Sequence, residues 1–515
     1  MSTASAPPAR AVTASDDRAF FGHPRGLGLL AAAEMWERFS YYGMRAILVL
    51  YLTRALHWSA QDASRLYGAY TGAVYLTPMI GGYLADRYLG TRRSLVLGGV
   101  IIALGHFMLA IDSMTFFYAG LVMVVIGTGF FKPNVSTMVG QLYAEGDPRR
   151  DAGFTIFYSC FNFGAFLAPL VCGFLAEDER FGWHLGFGAA GVGMVLGLIV
   201  YLLGRDKYLP GIGLVPDHRH DAEERAEIAE LGIPSYGRNA ALGATGGVVL
   251  ATLASVGTWS QVGIPTWLFS LSGLMSLLYG VIIGAAFTVA VLGTQGEERK
   301  RVWALVMVST FVVFFWLVFE QAGSSLTLFA DRDTDRSFGM FGIDTIPASW
   351  FQSIQPLCII LLGPFAGWFW LYLSKRGREP ATTMKMVYGL FLAGLGFFLL
   401  YFAGRAVDAG DKVSPLWLIG AYLCHSFGEI ALYPVGLSYV TKVAPVQFVS
   451  LLMGTWFLAI SAANFLGGFL AGLIDEIPSR ATFFTIPTAT AWGAGVLMLL
   501  SVPLLRRLTR SVPAA

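Results

Sequence analysis

Seven ionisable side chains stand in stretches that are otherwise apolar, and their types suit the exchange of a proton against a small charged solute. Four of them, Glu34, Glu37, Arg38 and Arg45, lie within one run, "AAAEMWERFSYYGMRAILVLYL". At 3.6 residues per turn these four, with Tyr41 and Tyr42, share one face of a helix. Glu34 to Arg45 covers roughly 16 Å of rise, about half the hydrocarbon thickness of a bilayer. Snorkelling cannot bring them all to water. Each such charge costs about 2.5–3.5 kcal/mol on insertion scales, so the face requires other charges, water or a ligand opposite it.

Four more groups could answer that face. Lys132 stands in "FFKPNVS", Glu320 in "FWLVFEQAGSSL", Glu429 in "CHSFGEIALYPVGLSYVTK", and the neutral Asn162 in "FYSCFNFGAF". Glu34, Glu37, Glu320 and Glu429 outnumber Arg38, Arg45 and Lys132 by one. Burial raises a carboxylate's proton affinity and a neighbouring arginine lowers it, so an acid whose arginine comes and goes would bind and release a proton. The alternative is a static ion-pair network that pins helices together. His106 and His425 read as core residues hydrogen-bonded in place. His218 and His220, in "PDHRHD", read as part of a charged loop and not as metal ligands. The glycines of "IGTGFF" lack the lysine-serine ending of a phosphate loop and fit close helix packing better. No nucleophile, base and orienter set and no zinc spacing occurs, so neither an enzyme nor a metal or other cofactor is expected.

The elements that must hold these groups are membrane helices. Charged residues make up 13% of the chain, about half the usual 25%. Residues Asn239 to Gly296 contain no Asp, Glu, Lys or Arg, enough for two spans of about 20 residues. The net charge of +2 gives no pointer to nucleic acid, and the four cysteines fall in apolar runs, against a disulfide framework. The first 24 residues lack an apolar core after a cationic start, so no cleaved signal peptide is expected. Apolar runs place spans near 26–52, 63–86, 93–112, 115–137, 151–175 and 184–204, then 239–259 and 265–293, then 301–329, 347–374, 384–404, 414–441, 449–473 and 483–506. A short surface helix is expected over Asp221 to Leu231. The fold class is all-α integral membrane, with two six-helix bundles and two inserted helices. The divisions are a tail at 1–25, bundles at 26–207 and 299–507, a linker with the inserted pair at 208–298, and a tail at 508–515. Loops "DRYLGTRR", "GDPRRD", "EERKR" and "SKRGRE" and the tail "RRLTR" fall on one side of this zigzag, which makes that side, with both termini, cytoplasmic. "DRDTDRS" is an exception on the other side, its arginines balanced by acids. Basic loops after the second span of each six-helix set suggest duplicated halves, common in secondary transporters.

"EMWERFSYYG" resembles the ExxERFxYYG signature of the proton-dependent oligopeptide transporters, a branch of the major facilitator superfamily. "GGYLADRYLGTRR" resembles that superfamily's loop between helices 2 and 3, and "FYSCFNFGAF" the family's FYxxINxG, with Phe161 for isoleucine. "FFKPNVS", "FWLVFEQ", "WFQSIQP" and "GEIALYPVGLS" extend the likeness along nearly the whole chain. The resemblance implies a bacterial inner-membrane carrier, a monomer, that takes up di- and tripeptides with protons by alternating access. It implies Arg38 and Lys132 for the peptide carboxylate, with Arg45 nearby, and Glu429 and Asn162 for the ammonium. Glu320 would pair with Arg45 when unprotonated and serve as chief proton site, Glu34 and Glu37 sharing protons with Arg38 and Lys132. Tyr41, Tyr42, Tyr75, Trp316 and Trp456 would line side-chain pockets. Gln355 stands where asparagine is usual, an amide one methylene longer toward the peptide's amino end. Tyr433 replaces a common serine, and Gly68 stands where animal members carry a histidine, whose role is therefore excluded.

Asp86, Arg87, Arg92 and Arg93 are candidates for a cytoplasmic gate, or for orientation by positive charge alone. Pro356 and Pro434 are expected to kink their helices with some part in gating. The rival reading is a related carrier for nitrate or an organic acid.

Overall fold

The computed structural model describes residues 19–144, 147–214, 236–256, 260, 263–268, 270–340, 343–445 and 448–510. Among these, the long helices are α1 (Arg25–Leu50), α2 (Ala60–Leu84), α3 (Thr91–Leu109), α4 (Met114–Gln141), α5 (Arg150–Glu177), α6 (Trp183–Tyr208), α7 (Tyr236–Ala254), α8 (Leu271–Leu292) and α9 (Gly296–Phe319). After the short α10 (Ser325–Arg332) come α11 (Ile354–Lys375), α12 (Thr382–Asp408), α13 (Leu416–Val443), α14 (Val449–Gly472) and α15 (Arg480–Leu508). Each of the fourteen long helices matches one expected span, and ten segments are long and apolar enough to cross a membrane by length and composition. The helix expected over 221–231, with His218 and His220, lies outside the described residues.

Three details depart from the sequence reading. The span expected at 301–329 is broken: α9 stops at Phe319, and Glu320–Gly323 make a 3₁₀ turn before α10. Side chains replace the lost helical bonds there. Gln321 Nε2 donates to the Leu317 and Gly467 carbonyls at 3.0 Å each, and Ser325 Oγ donates to Gln321 Oε1 at 2.7 Å. Gly323 is needed, since a Cβ there would strike the Tyr67 hydroxyl. The second inserted helix starts at Leu271, where Ser270 Oγ accepts from Gly273 N–H at 3.1 Å, and Ile264–Leu268 is a separate short helix. The "DRDTDRS" loop leads into a small antiparallel hairpin, β1 (Ser337–Met340) and β2 (Ile343–Thr345).

The chain forms two compact units. One contains Met1–Ile47 and Thr77–His220. Its helices α3 and α4 approach through glycines: a Cβ at Gly105 would lie 2.8 Å from the Gly120 carbonyl, and one at Gly120 2.7 Å from that of Gly105. In a bilayer, where lipid competes for apolar surface, such close contact supplies the packing that holds helices together. Leu30, Phe131, Met138 and Tyr201 are among its core.

The other unit contains Leu48–Leu76 and Asp221–Ala515. Within it, α7 and α8 pack glycine to glycine, Gly243 on Gly284 and Gly247 on Gly280. The inserted pair docks through Tyr279 of α8, whose hydroxyl meets Ser461 Oγ of α14 at 2.7 Å; Ser461 Oγ in turn donates to the Gly72 carbonyl of α2 at 2.5 Å. Tyr279→Phe is expected to loosen this docking by about 0.6–1.7 kcal/mol, the range of interhelical hydrogen bonds in membranes. A double-mutant cycle with Ser461→Ala checks it: the two losses should be non-additive.

Candidate functional site

In the first unit the α1 stripe is built as its spacing requires. Arg38 donates to Glu34 Oε1 through Nε at 2.9 Å and through a terminal nitrogen at 2.6 Å, and its Nε lies 3.5 Å from Glu37 Oε2. Both glutamates are buried, 2% and 1% exposed. The guanidinium lies 5.0 Å from the Phe161 ring centre on α5, so the departure from isoleucine supplies a cation–π face. The approach of α5 depends on Gly164, where a Cβ would strike the Met35 carbonyl of α1. Lys132 stands on α4, directly before Pro133. Arg45, 5% exposed, lies 5.3 Å from the Tyr42 ring centre, and Tyr41 meets Tyr42 edge-on at 5.3 Å. Asn162 donates its Nδ2 to the Tyr158 carbonyl at 2.9 Å, which leaves its oxygen as the group that can accept from a ligand.

The four gate candidates also belong to this unit by residue number. Asp86 and Arg87 sit in a π turn, Ala85–Leu89, that follows α2; Arg87 donates to the Tyr83 hydroxyl at 2.8 Å, and Arg93 is exposed. Arg92 is buried. It binds Asp206 Oδ1 at 2.9 Å and the carbonyls of Leu209 and Arg205, capping α6 with positive charge at its negative end. Arg92→Leu is expected to cost about 1.5–3 kcal/mol by removing charged hydrogen bonds from the end of α6, whose carbonyls then keep only the Leu209 and Ile212 N–H groups. Faster amide exchange at Leu209 and Ile212 would register it.

In the second unit, Glu320 opens the break after α9 and is 5% exposed. One turn earlier, Trp316 meets Phe319 at 5.0 Å and Tyr433 at 5.5 Å, both edge-on, so the tyrosine that replaces serine forms part of an aromatic wall. Trp456 is fully buried on α14 against Gly436. Tyr75 is half-buried on α2. Gln355 donates to Glu429 Oε2 at 2.7 Å, so the longer amide reaches the carboxylate directly. Pro356 is the third residue of α11, where a 3₁₀ turn over Ala348–Ser353 passes into α-helix. Pro434 lies inside α13.

The two histidines are core residues, but one of them lacks the hydrogen bonds the sequence suggested. His106 is fully buried with neither ring nitrogen bonded among the described residues. His425 packs on Phe397 at 4.9 Å and Phe319 at 6.3 Å.

Sequence reasoning missed the polar groups that hold the Glu320 break, Gln321, Ser325, Thr327 and Gln352. The signal was the run of small polar residues directly after Glu320. It also missed how the "DRDTDRS" arginines are used. Arg332 binds Asp475 at 2.8 Å, Arg336 binds Asp331 at 3.0 Å, and Arg54 also binds Asp331. Both loop arginines are thus paired with acids.

Three loop carboxylates are held below their usual range by a neighbouring cation, whereas burial pushes Asp333 up. The Arg149 side chain holds Asp147 below the usual range, Lys385 does the same for Glu379, and Arg180 lowers Asp178 to about 2. A depressed carboxylate contributes stability above its unfolded value, about 3.9 for aspartate, and loses it only as pH falls through the folded value. Asp178 therefore stays ionised between pH 5 and 8. No metal-binding cluster occurs among the described residues. Chemically, the first unit offers fixed cations beside paired acids, suited to an anionic group, and the second offers carboxylates beside amides and aromatic rings, suited to a cation.

The sequence profile of the POT family (PTR2) matches residues 92–220 and 235–490. The chain is 36% identical to the peptide transporter YePEPT of Yersinia enterocolitica, across 95% of this chain and 96% of that one. It is 32% identical to a di-/tripeptide transporter of Lactococcus lactis, across 94% and 96%. A crystal structure of a peptide transporter POT variant in complex with alafosfalin superposes with a TM-score of 0.79 at 35% identity, covering 97% of this chain and 99% of that one.

Proposed function

The chain belongs to the POT family, and from that premise we propose that it is a symporter that carries di- and tripeptides inward with protons across the bacterial inner membrane, as a monomer with both termini cytoplasmic. The observation that carries this reading is the opposite chemistry of the two units: Arg38, Arg45 and Lys132 in one, Glu320 and Glu429 in the other. A zwitterionic peptide presents a carboxylate and an ammonium a fixed few bonds apart, so it needs one of each. Arg38 and Lys132 receive the carboxylate, and Glu429, Gln355 and Asn162 the ammonium. Tyr41, Tyr42, Tyr75, Trp316 and Trp456 give tolerant side-chain walls.

In the proposed cycle, protonation of Glu320 from outside releases Arg45, whose charge then favours the peptide carboxylate. After inward opening the proton leaves Glu320, the Arg45 pair re-forms, and the peptide loses part of its anchor. Glu34 and Glu37, held by Arg38, keep the stripe's charge balanced as the peptide enters and leaves. Asp86, Arg87 and Arg93 act at the cytoplasmic gate, with Arg92 fixing the end of α6 beside them. The membrane potential adds about 2.3 kcal/mol per charge moved through 100 mV.

Counterflow of labelled dialanine in liposomes tests the substrate class. Unlabelled di- and tripeptides should drive exchange, whereas dialanine blocked at either end by acetyl or amide should not. Exchange driven by nitrate or acetate, with peptides inert, would refute the assignment.

A further inference from the structure

The break that carries Glu320 is tied by side chains to the element that carries Gln355. Thr327 Oγ1, 1% exposed on α10, donates to the Ala322 carbonyl inside the 3₁₀ turn at 2.7 Å. The same oxygen accepts from Gln352 Nε2 at 2.8 Å. Gln352, 7% exposed, belongs to a second 3₁₀ turn, Ala348–Ser353, which runs without interruption into α11. Three residues on, Gln355 holds Glu429 at 2.7 Å. The Ala322 carbonyl also lies 3.4 Å from the Tyr422 hydroxyl of α13, the helix that carries Glu429. Two 3₁₀ turns, short and strained compared with α-helix, are thus joined through one threonine hydroxyl. One end of this chain of bonds lies two residues from Glu320, and the other lies three residues from Gln355, which holds Glu429.

If packing alone were needed, valine would fill Thr327's place without burying a hydroxyl. We propose that Thr327 and Gln352 are positioning residues that couple the protonation of Glu320 to engagement of the peptide ammonium at Glu429, an inference that rests on the transport reading above. A proton on Glu320 changes the hold on its turn; the Ala322 carbonyl follows, and Thr327 passes the displacement through Gln352 to the start of α11. Other titratable groups near the Glu320 turn are few. α10 carries Asp331 and Arg332, α2 brings Tyr67, α13 brings Tyr422, His425 and Glu429, α14 carries no ionisable side chain, and Arg45 is the partner in the proposed cycle.

The test is uptake of labelled dialanine by liposomes across a series of external pH values, with equilibrium binding at one pH. Thr327→Val is expected to move the pH of half-maximal uptake by about half a unit, a roughly threefold change in proton affinity, while binding changes less than about twofold. Thr327→Ser should behave as the parent. Gln352→Met should reproduce the valine shift, and the double variant should not exceed it; this second site keeps the test decisive where Thr327→Val fails to fold. A Thr327→Val or Gln352→Met profile superimposed on the parent's overturns the proposal, as does a serine variant that shifts as far as valine. The two readings fail differently. Glu320→Gln with intact pH-driven accumulation removes Glu320 as the proton site, and the coupling with it. A Glu320-dependent profile that Thr327→Val leaves unmoved overturns the coupling alone.

Discussion

Glu320→Gln is expected to abolish accumulation of dialanine against its gradient while leaving exchange of labelled for unlabelled peptide across the membrane. Glutamine matches the shape of a protonated glutamate but cannot release a proton or pair ionically with Arg45. In the proposed cycle the arginine is then permanently available to the peptide carboxylate. The carrier can still cross between its states loaded, so exchange survives, but nothing makes the inward release of peptide depend on the release of a proton. The turn should still fold with glutamine in place, in the arrangement a protonated Glu320 gives it, because Gln321, Ser325 and Thr327 close it through their own bonds. Parallel uptake and counterflow assays on one preparation check this, and accumulation at the parent's level would move the proton role to another residue.

The second large effect is at Glu429. Glu429→Gln replaces the carboxylate in contact with Gln355 by a neutral amide and leaves a peptide ammonium without a counter-charge in a buried site. Truncating one partner of a desolvated, hydrogen-bonded charge pair costs about 2–5 kcal/mol. Dialanine affinity should therefore fall by roughly thirtyfold or more. A dipeptide analogue without the amino group should lose much less, since it has no charge to be stranded. Calorimetric titration of both compounds against parent and variant gives the comparison, and equal losses for the two would place the ammonium elsewhere.

Much of this was legible because charge in an apolar run is a loud signal. Glu34, Glu37, Arg38 and Arg45 could be assigned to one helical face from spacing alone, and the Arg38–Glu34 pair follows from their separation of one turn. The helix count was legible for the same reason, since a bilayer imposes one length on every span. What stayed hidden was local. The polar run after Glu320 marked the place but not the interruption of α9; its cause is the side chains of Gln321, of α10 and of a second 3₁₀ turn, with the Gly467 carbonyl of α14, which come together only in three dimensions. Arg92 looked like one more basic loop residue because its partners, Asp206 and the end of α6, lie more than a hundred positions away.

The central claim is that proton and peptide move together, and one measurement bears on it most directly. Liposomes containing the purified protein are given an inward proton gradient and labelled external dialanine. The account predicts accumulation above the external concentration, collapsing to equilibrium when a protonophore dissipates the gradient. Uptake that never exceeds equilibrium, or that the protonophore leaves unchanged, would contradict it.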